Sequence, residues 1–421
     1  MSKTRSQENL ARVQKTVSQA LGAGVIHLST EDQQLGGKTI RLAGQDLLHF
    51  GSCSYLGLEQ HPRLREAAIE ATKNFGTQFS SSRAYVSLGL YQELEAMLEH
   101  SSGQPALVSA STTLGHLSLV PLIVEEGDVI LLDHQVHASV QMATQLMVSK
   151  GVRIEYIRHN RMDILEERIQ KLSSKYRKIW YMADGIYSMY GDITPYQELS
   201  RLLEAHEQLH LYVDDAHGLS WTGEKGMGTA VTHFKGHERV YIAGSLSKSF
   251  AAGGGVLFFP DQKSKQKVRI AGGTMIFSGP LQPPVIASCL ESIRLHSEPE
   301  IAALQQQLMN KIQVANRIIR QKGFDQPKEA DTPIFYLKMG EPTLAIELVK
   351  RLMDRGIYVN TATYPSVPYK NAGLRITLNN KLSLKDIALL FDTVEEEYSV
   401  VSEVNLQGNQ QVKPLRLVAA S

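Results

Sequence analysis

The chain has 421 residues, of which 43% are hydrophobic and 21% are charged, as in a soluble globular protein large enough for two domains. Its 44 basic and 43 acidic residues nearly cancel, which argues against nucleic acid or an anionic membrane surface as a partner. Two cysteines, Cys53 and Cys289, cannot form a disulfide framework and lack metal-site spacing. The polar start has no secretory h-region and no apolar run predicts a membrane span, so we expect a cytoplasmic protein.

In chain order, the pattern first predicts a loose helix over residues 5–30 and short strands in KTIRLAGQDLLHF. Amphipathic helices follow over 61–76 and 87–103, each closed by a glycine. Short apolar runs then alternate with helical segments such as 162–176 and 196–208, which predicts a mainly parallel sheet with helices on both faces. The runs are PALVSA, DVILLD, RIEYIRHN, KIWYMAD, LHLYVDD, VYIAGS and GGVLFF.

The C-terminal part has a different pattern. A long helix from 298 towards 322, the strand TPIFYLKM, a helix over 342–356, the strand GLRITL and a final helix over 383–401 predict a smaller α+β domain. We therefore predict four parts of the chain. They are an N-terminal segment 1–60, a large α/β domain 61–292, a small C-terminal α+β domain 293–405 and a mobile tail 406–421.

Residues with ionisable or reactive side chains directly follow several apolar runs, at the strand ends where α/β sheets bind ligands. LHLYVDD ends in Asp214 and Asp215, and His217 follows. Because strand side chains alternate between faces, only one aspartate can share a face with the next functional group. The next run leads into GSLSKSFAAGGG, in which Lys248 lies among serines and glycines. Taken alone, the aspartates could simply cap the following helix, and Lys248 could be an ordinary lysine on a surface loop.

Three further strand ends carry polar residues. DHQVHAS contains His134 and His137, but no acid or cysteine at ligand spacing completes a metal site, so we expect no metal. MADGIYSMYGD contains Asp184, Ser188 and Asp192. The segment VSASTTLGH lies between a strand and a helix, where hydroxyl and N–H groups can bind an anion. Its hydroxyl residues are Ser111, Thr112 and Thr113.

A lysine, an acid, a histidine and a hydroxyl-rich helix start, all at strand ends, match the requirements of pyridoxal phosphate. In such a site the lysine forms the Schiff base and the acid keeps the ring nitrogen protonated. An aromatic or imidazole ring packs on the pyridine face, and the helix N-terminus binds the phosphate. We therefore predict pyridoxal 5'-phosphate as the cofactor.

The order and spacing of VSASTT, DHQVHAS, DGIYSMYGD, VDDAHG and GSLSKSFAAGGG resemble the α-oxoamine synthases, which are fold-type I pyridoxal-phosphate enzymes. The likeness extends from about residue 54 to residue 378. It implies a seven-stranded, mainly parallel sheet in the large domain and a homodimer. It also implies a decarboxylative condensation of a small amino acid with an acyl thioester of coenzyme A or a carrier protein, which yields an α-amino ketone.

The resemblance also implies roles for individual residues. Lys248 resembles the Schiff-base lysine and general base, Asp214 the partner of the ring nitrogen, and His217 the donor to the ring hydroxyl. His137 is similar to the imidazole stacked on the cofactor, and Arg375 to the arginine that binds the substrate carboxylate. The other implied cofactor contacts are Ser111, Thr112, Thr113, Ser188, Ser245 and, reaching a neighbouring subunit's phosphate, Ser278.

Four segments depart from the family pattern, one in the phosphate segment and the others among the substrate-facing positions. The family's phosphate segment SGYxAN corresponds to Ser111–His116, which lacks its glycine and its aromatic residue. Cys53 replaces an asparagine that contributes to carboxylate binding. The glycine-rich GxGGSR segment spans Gly76–Arg83 with bulkier residues, and PPxVP spans Tyr364–Pro368. We therefore predict a divergent member. Two alternatives stay open: an aminotransferase or amino-acid lyase of the same fold, and a catalytically weak partner subunit.

Overall fold

A computed structural model describes residues 5–329 and 331–407, so most of the predicted tail, from residue 408 onward, lies outside the described residues. The chain divides into two compact units. The large unit comprises 58–187 and 193–305, and the second unit comprises the described residues up to Gly57, Ser188–Asp192 and those from Gln306 onward. The predicted boundaries at 60 and 292 stay predictions.

The strands of both units follow the apolar runs of the sequence. Within the described residues they are β1 (Thr39–Leu42), β2 (Gln45–His49), β3 (Ala106–Ser109), β4 (Val129–Asp133), β5 (Arg153–Ile157), β6 (Ile179–Asp184), β7 (Leu209–Asp214), β8 (Val240–Ser245), β9 (Gly255–Phe258), β10 (Ile334–Gly340), β11 (Ile357–Tyr358), β12 (Asn360–Ala362) and β13 (Ala372–Thr377).

The helices include all those predicted and several that the pattern did not single out. They are α1 (Arg5–Gly22), α2 (Pro62–Phe75), α3 (Gly89–Ser102), α4 (Thr112–Ile123), α5 (Ala138–Val148), α6 (Met162–Leu172), α7 (Tyr196–Ala205), α8 (Thr229–Phe234), α9 (Gln262–Ala271), α10 (Gly273–Ile276), α11 (Pro283–His296), α12 (Pro299–Lys322), α13 (Pro342–Asp354) and α14 (Leu384–Gln407). As predicted, Gly76 and Gly103 follow the ends of α2 and α3, both at positive φ. No described helix combines the length and apolar character that a bilayer crossing requires.

The large unit is built around one seven-stranded sheet in the order β3-β9-β8-β7-β6-β4-β5. Strands β8, β7, β6, β4 and β5 are parallel, whereas β9 pairs antiparallel with both β8 and β3. The prediction of a mainly parallel seven-stranded sheet is therefore confirmed. Each of the seven predicted apolar runs contains one of these strands.

Alternate residues of each strand enter different hydrophobic layers. In β4, Val129 and Leu131 pack into one cluster, which includes residues of α3, α6, α7, α8 and α11. Ile130 and Leu132 pack into the other cluster, with residues of α4, α5 and α9. This alternation follows from the two-residue period of a strand, and it buries the sheet on both faces.

The second unit contains two small sheets and has the α+β character that was predicted. One sheet has the order β1-β2-β11 and the other the order β10-β13-β12. Helix α13 packs against α14 and against strands of both sheets. The predicted helix over residues 5–30 ends early, at Gly22, where Gly24 adopts a φ of +67°.

Candidate active site

A cavity of about 220 Å³ lies at the carboxyl ends of the strands of the large sheet. Asp184, Asp214 and Ser245 are the last residues of β6, β7 and β8, and their side chains reach it directly. The full lining is Ser111, Thr112, Thr113, His137, Ser139, Asp184, Ile186, Asp214, Ala216, His217, Ser245, Ser247 and Lys248. The cavity is thus lined by an amine, two carboxyl groups, two imidazoles and several hydroxyl groups.

Most of the predicted site residues meet in this cavity. They are Lys248, His137, Asp214, His217, Ser111, Thr112, Thr113 and Ser245. Three predicted residues are not part of its lining. Ser278 lies in the large unit beside Phe277, whereas Ser188 and Arg375 lie in the second unit. The assigned roles of all these residues stay predictions.

The loop that carries Lys248 is held by hydrogen bonds within itself. The Leu246 amide donates to the Gly254 carbonyl at 3.0 Å, and the Ser247 hydroxyl donates to the same carbonyl at 3.1 Å. The Ala251 amide donates to the Lys248 carbonyl, also at 3.0 Å. These bonds fix the backbone on both sides of Lys248. The lysine is therefore presented to the cavity by an ordered turn, as a covalent attachment point requires.

The start of α4 borders one end of the cavity. Ser111 is the N-cap residue, and its hydroxyl accepts a hydrogen bond from the Leu114 amide at 3.1 Å. Thr112 and Thr113 are the first two residues of the helix, where amide groups have no intrahelical acceptor. A cavity bordered by such amides and by hydroxyl groups suits a phosphate.

The absence of a side chain at Gly255 allows α4 to approach β9 closely. A Cβ atom there would lie 2.6 Å from the Thr112 nitrogen and 2.7 Å from its Cα. Both are backbone atoms, so no rotamer change can relieve the contact. The phosphate end of the cavity therefore depends on glycine at this position.

Gly255→Ala is expected to displace the first turn of α4. We predict at least about tenfold weaker binding of pyridoxal phosphate and a loss of about 1–3 kcal/mol of stability, from titration and denaturant unfolding. Gly273→Ala is the matched control, since a Cβ there meets nothing within 4 Å. Unchanged cofactor affinity in Gly255→Ala would show that the contact is not needed.

Asp214 is the aspartate that faces the cavity, and its carboxylate is held at both oxygens. Oδ1 accepts from the Ala216 amide at 3.1 Å, and Oδ2 lies 3.0 Å from Nε2 of His116. Burial raises the pKa of Asp214, but the charge and hydrogen bond of His116, then Lys248 and His137, outweigh burial and lower it. The cavity therefore contains a carboxylate that stays ionised although it is buried.

Asp184 has the opposite electrostatic character. Its Oδ1 accepts a hydrogen bond from the His137 amide at 2.9 Å. Burial, and then the charge of Asp214, raise the pKa of Asp184 well above its usual range. Of these two neighbouring acids, Asp214 is held towards its ionised form, whereas burial and the charge of Asp214 favour the protonated form of Asp184. Burial also lowers the pKa of His137, which favours a neutral imidazole in the cavity.

Asp215 points away from the cavity, so only one of the two adjacent aspartates lines it, as strand alternation predicts. Its Oδ2 accepts from the Ala230 amide at 2.9 Å, at the start of α8. Burial raises the pKa of Asp215 to about 7. Its role is to hold α8, and it keeps its proton in the folded chain below that pH.

This raised pKa predicts how stability depends on pH. The unfolded chain releases the Asp215 proton near pH 4 and the folded chain near pH 7, so this group's contribution to stability falls as pH rises between these values. We expect the cofactor-free protein to lose on the order of 4 kcal/mol from this group between pH 4 and 8. Denaturant unfolding should show that the free energy of unfolding depends less on pH in Asp215→Asn than in the wild type. Parallel profiles would contradict this.

In the second unit, Arg375 is almost completely buried on β13. Its Nε donates to the Ser188 carbonyl at 2.6 Å, and one Nη lies 3.7 Å from the sulfur of Cys53. Two residues with predicted contacts, Arg375 and Ser188, thus form one cluster with Cys53, which stands where the family has an asparagine. The guanidinium is oriented by a backbone carbonyl, and its planar shape suits a planar anion.

The residues of the cavity fit pyridoxal phosphate. Asp214 offers an ionised carboxylate for a protonated ring nitrogen, Lys248 an amine for the aldehyde, and the start of α4 a phosphate site. In the described ranges, no three His, Cys, Asp or Glu side chains are arranged to hold a metal ion. Together, the amine, the ionised carboxylate and the helix start are the groups that an organic phosphate cofactor requires.

Comparison with known proteins agrees with this chemistry. A family model for aminotransferase class I and II matches residues 45–392. The chain is 31% identical over 385 residues to an 8-amino-7-oxononanoate synthase from Thermoanaerobacter pseudethanolicus, covering 90% of this chain and 95% of the relative. It is 33% identical over 345 residues to a serine palmitoyltransferase from Sphingobacterium spiritivorum, covering 80% and 83% respectively.

The fold has solved counterparts. A serine palmitoyltransferase from S. paucimobilis, in a structure that also contains PLP and myriocin, superimposes with a TM-score of 0.85 at 23% identity. The match covers 95% of this chain and 99% of that chain, so the fold is that of the fold-type I transferases. The chain therefore belongs to the aminotransferase class I and II family and, within it, to the α-oxoamine synthases that these relatives represent.

Proposed function

We propose that this chain is a pyridoxal-phosphate-dependent acyltransferase that condenses a small amino acid with an acyl thioester. A carbon–carbon bond forms between Cα and the acyl carbon, and the carbon–sulfur bond of the thioester breaks. The amino acid's carboxyl group leaves as carbon dioxide. One proton from solvent completes the released thiol, and the product is an α-amino ketone.

The residues of the cavity supply the proton chemistry. When bound, pyridoxal phosphate provides a ring that accepts the electron pair left at Cα. The amine of Lys248 removes the Cα proton and can return a proton to the same carbon after carbon dioxide leaves. The Asp214 carboxylate holds the proton on the ring nitrogen, which keeps the ring electron-accepting.

Other side chains position the cofactor and the amino acid. We assign His137 to the ring face and His217 to the ring hydroxyl. The phosphate is assigned to the amides of α4 together with Ser111, Thr112, Thr113 and Ser245. Ser188 is assigned to the cofactor and Arg375 to the substrate carboxylate, for which a fixed guanidinium is suited.

The observation that carries this proposal is that Lys248, Asp214, His137 and His217 share one cavity in a chain 31% identical to an 8-amino-7-oxononanoate synthase. The test supplies the purified holoenzyme with amino acids and either acyl-coenzyme A or acyl carrier protein. We expect free thiol and carbon dioxide in equal amounts. No thiol with either donor would refute the proposal, and keto-acid-dependent amino transfer would identify an aminotransferase instead.

The acyl donor and the compartment belong to the same proposal. Coenzyme A and acyl carrier protein are both thiol carriers, and the two arms of the test distinguish them. Neither Cys53 nor Cys289 is part of a disulfide, which suits a reducing compartment. We therefore propose a cytoplasmic enzyme.

We also propose that the enzyme is a homodimer. Three apolar side chains, Tyr85, Val86 and Phe277, are exposed on the large unit. Their segments are joined by a hydrogen bond, because the Ser82 hydroxyl donates to the Ile276 carbonyl at 2.6 Å. Ser278, assigned to a neighbouring subunit's phosphate, directly follows Phe277. An apolar surface of this kind is typical of contacts between subunits.

Phe277→Asp is expected to convert the dimer into a monomer, because it places a charge where an apolar ring is 88% exposed. Light scattering after size-exclusion chromatography measures the mass. Leu146→Asp, at another exposed apolar position of the large unit, serves as the control. A wild-type monomer would contradict the assignment of Ser278 as well.

A further inference from the structure

His116 is a completely buried histidine that does not line the cavity, although it contacts a residue that does. It lies in α4, one turn after Thr112. Its Nε2 lies 3.0 Å from Oδ2 of Asp214, and its Nδ1 is hydrogen-bonded to the hydroxyl of Tyr212. Both ring nitrogens therefore have a partner, and the imidazole is fixed between two residues of β7.

The direction of the bond to Asp214 follows from the chemistry of the partners. An ionised carboxylate can only accept, so Nε2 carries a hydrogen and donates it. The Tyr212 hydroxyl can either donate to Nδ1 or accept from it. The donation to Asp214 is therefore the same for a neutral and for a protonated imidazole.

The fold explains why this contact forms. Tyr212 and Asp214 are two residues apart in β7, so both point to the sheet face on which α4 packs. The Ala216 amide holds Oδ1 of Asp214, and His116 holds Oδ2. A carboxylate that receives two such donors is less basic and has one fixed orientation.

We infer that His116 is a positioning residue that acts on the cofactor through Asp214. This inference rests on the proposed cofactor role of Asp214. By stabilising the carboxylate form, His116 keeps the proton shared by Asp214 and the cofactor on the ring nitrogen. Without the imidazole donor, the buried carboxylate becomes more basic and competes for that proton.

The test compares two cofactors in three proteins. The cofactors are pyridoxal phosphate and its analogue with carbon in place of the ring nitrogen, which cannot interact with Asp214 through a ring N–H group. The proteins are the wild type, His116→Leu, which has no donor, and His116→Gln, whose amide nitrogen can replace Nε2. Equilibrium titration gives the dissociation constant of each cofactor, and denaturant unfolding shows whether each variant folds.

We expect His116→Leu to weaken pyridoxal phosphate binding by about 10- to 100-fold, the range for a lost hydrogen bond to a charged group. Its affinity for the carbon analogue should stay within about twofold of the wild type, because the ring nitrogen is the route of the effect. His116→Gln should restore most of the difference. Equal weakening of both cofactors, or of neither, would overturn the inference.

Two further outcomes are informative. If His116→Leu does not fold, Tyr212→Phe replaces it, since loss of the hydroxyl leaves Nδ1 unsupported and should weaken pyridoxal phosphate selectively by a smaller factor. If Tyr212→Phe changed the affinity for both cofactors by the same factor relative to the wild type, the inference would be overturned. A wild type that binds pyridoxal phosphate but releases no thiol contradicts the proposed acyl transfer alone. A wild type that binds neither cofactor contradicts both proposals.

Discussion

Lys248→Ala should lower the rate of thiol release from the acyl thioester by at least about a thousandfold. The residue is expected to act twice, as the covalent attachment point of the cofactor and as the base at Cα, so alanine removes both functions. The variant should also lose the visible absorbance of the cofactor bound to lysine. Rate and spectrum are measured on the same purified protein.

Lys267→Ala is the matched control for this result. Lys267 lies on α9 of the same unit, is half exposed, and pairs with Glu125 at 3.5 Å. Loss of an exposed ion pair changes stability little, so rate and spectrum should match the wild type. Activity retained by Lys248→Ala would mean that another amine does the chemistry.

Asp214→Asn should reduce the rate by about 100- to 1000-fold while the protein still folds. Asparagine retains an acceptor for the Ala216 amide but has no charge to hold a proton on the ring nitrogen. The rate of thiol release is compared at saturating concentrations of both substrates.

Asp215→Asn provides the neighbouring control. It changes the adjacent acid, whose side chain binds the Ala230 amide and does not line the cavity. Its rate should lie within about threefold of the wild type. Similar losses in both variants would show that the charge of Asp214 is not specifically required.

The sequence predicted the site where strand ends carry unusual side chains. Asp214 and Lys248 follow buried apolar runs, and parallel strands bring their carboxyl ends to one edge of the sheet. Strand alternation predicted that Asp214 and Asp215 would face opposite ways, and the structure confirms it. The antiparallel direction of β9 was not predicted. The short loop from Ser245 to Gly255 could have indicated the antiparallel pairing of β8 and β9, because a parallel crossover needs a dozen or more residues.

The electrostatic roles of two residues, His116 and Asp184, were not predicted, for different reasons. His116 was noted only as part of an altered segment, because its partner Asp214 lies 98 residues away and the contact depends on how α4 packs on the sheet. The available signal was a histidine in the largely apolar stretch LGHLSLV, whose other polar residue is Ser118. Asp184 was recognised at a strand end, but its raised pKa arises from burial and from the charge of Asp214, neither of which a sequence displays.

The most direct test of the central claim is to map the lysine that binds the cofactor. The holoenzyme is reduced with borohydride, digested with trypsin and analysed by mass spectrometry. Because reduction blocks cleavage after a modified lysine, we predict one labelled peptide that reads through Lys248. A label confined to another lysine, or no label in a protein that retains activity, would contradict the account.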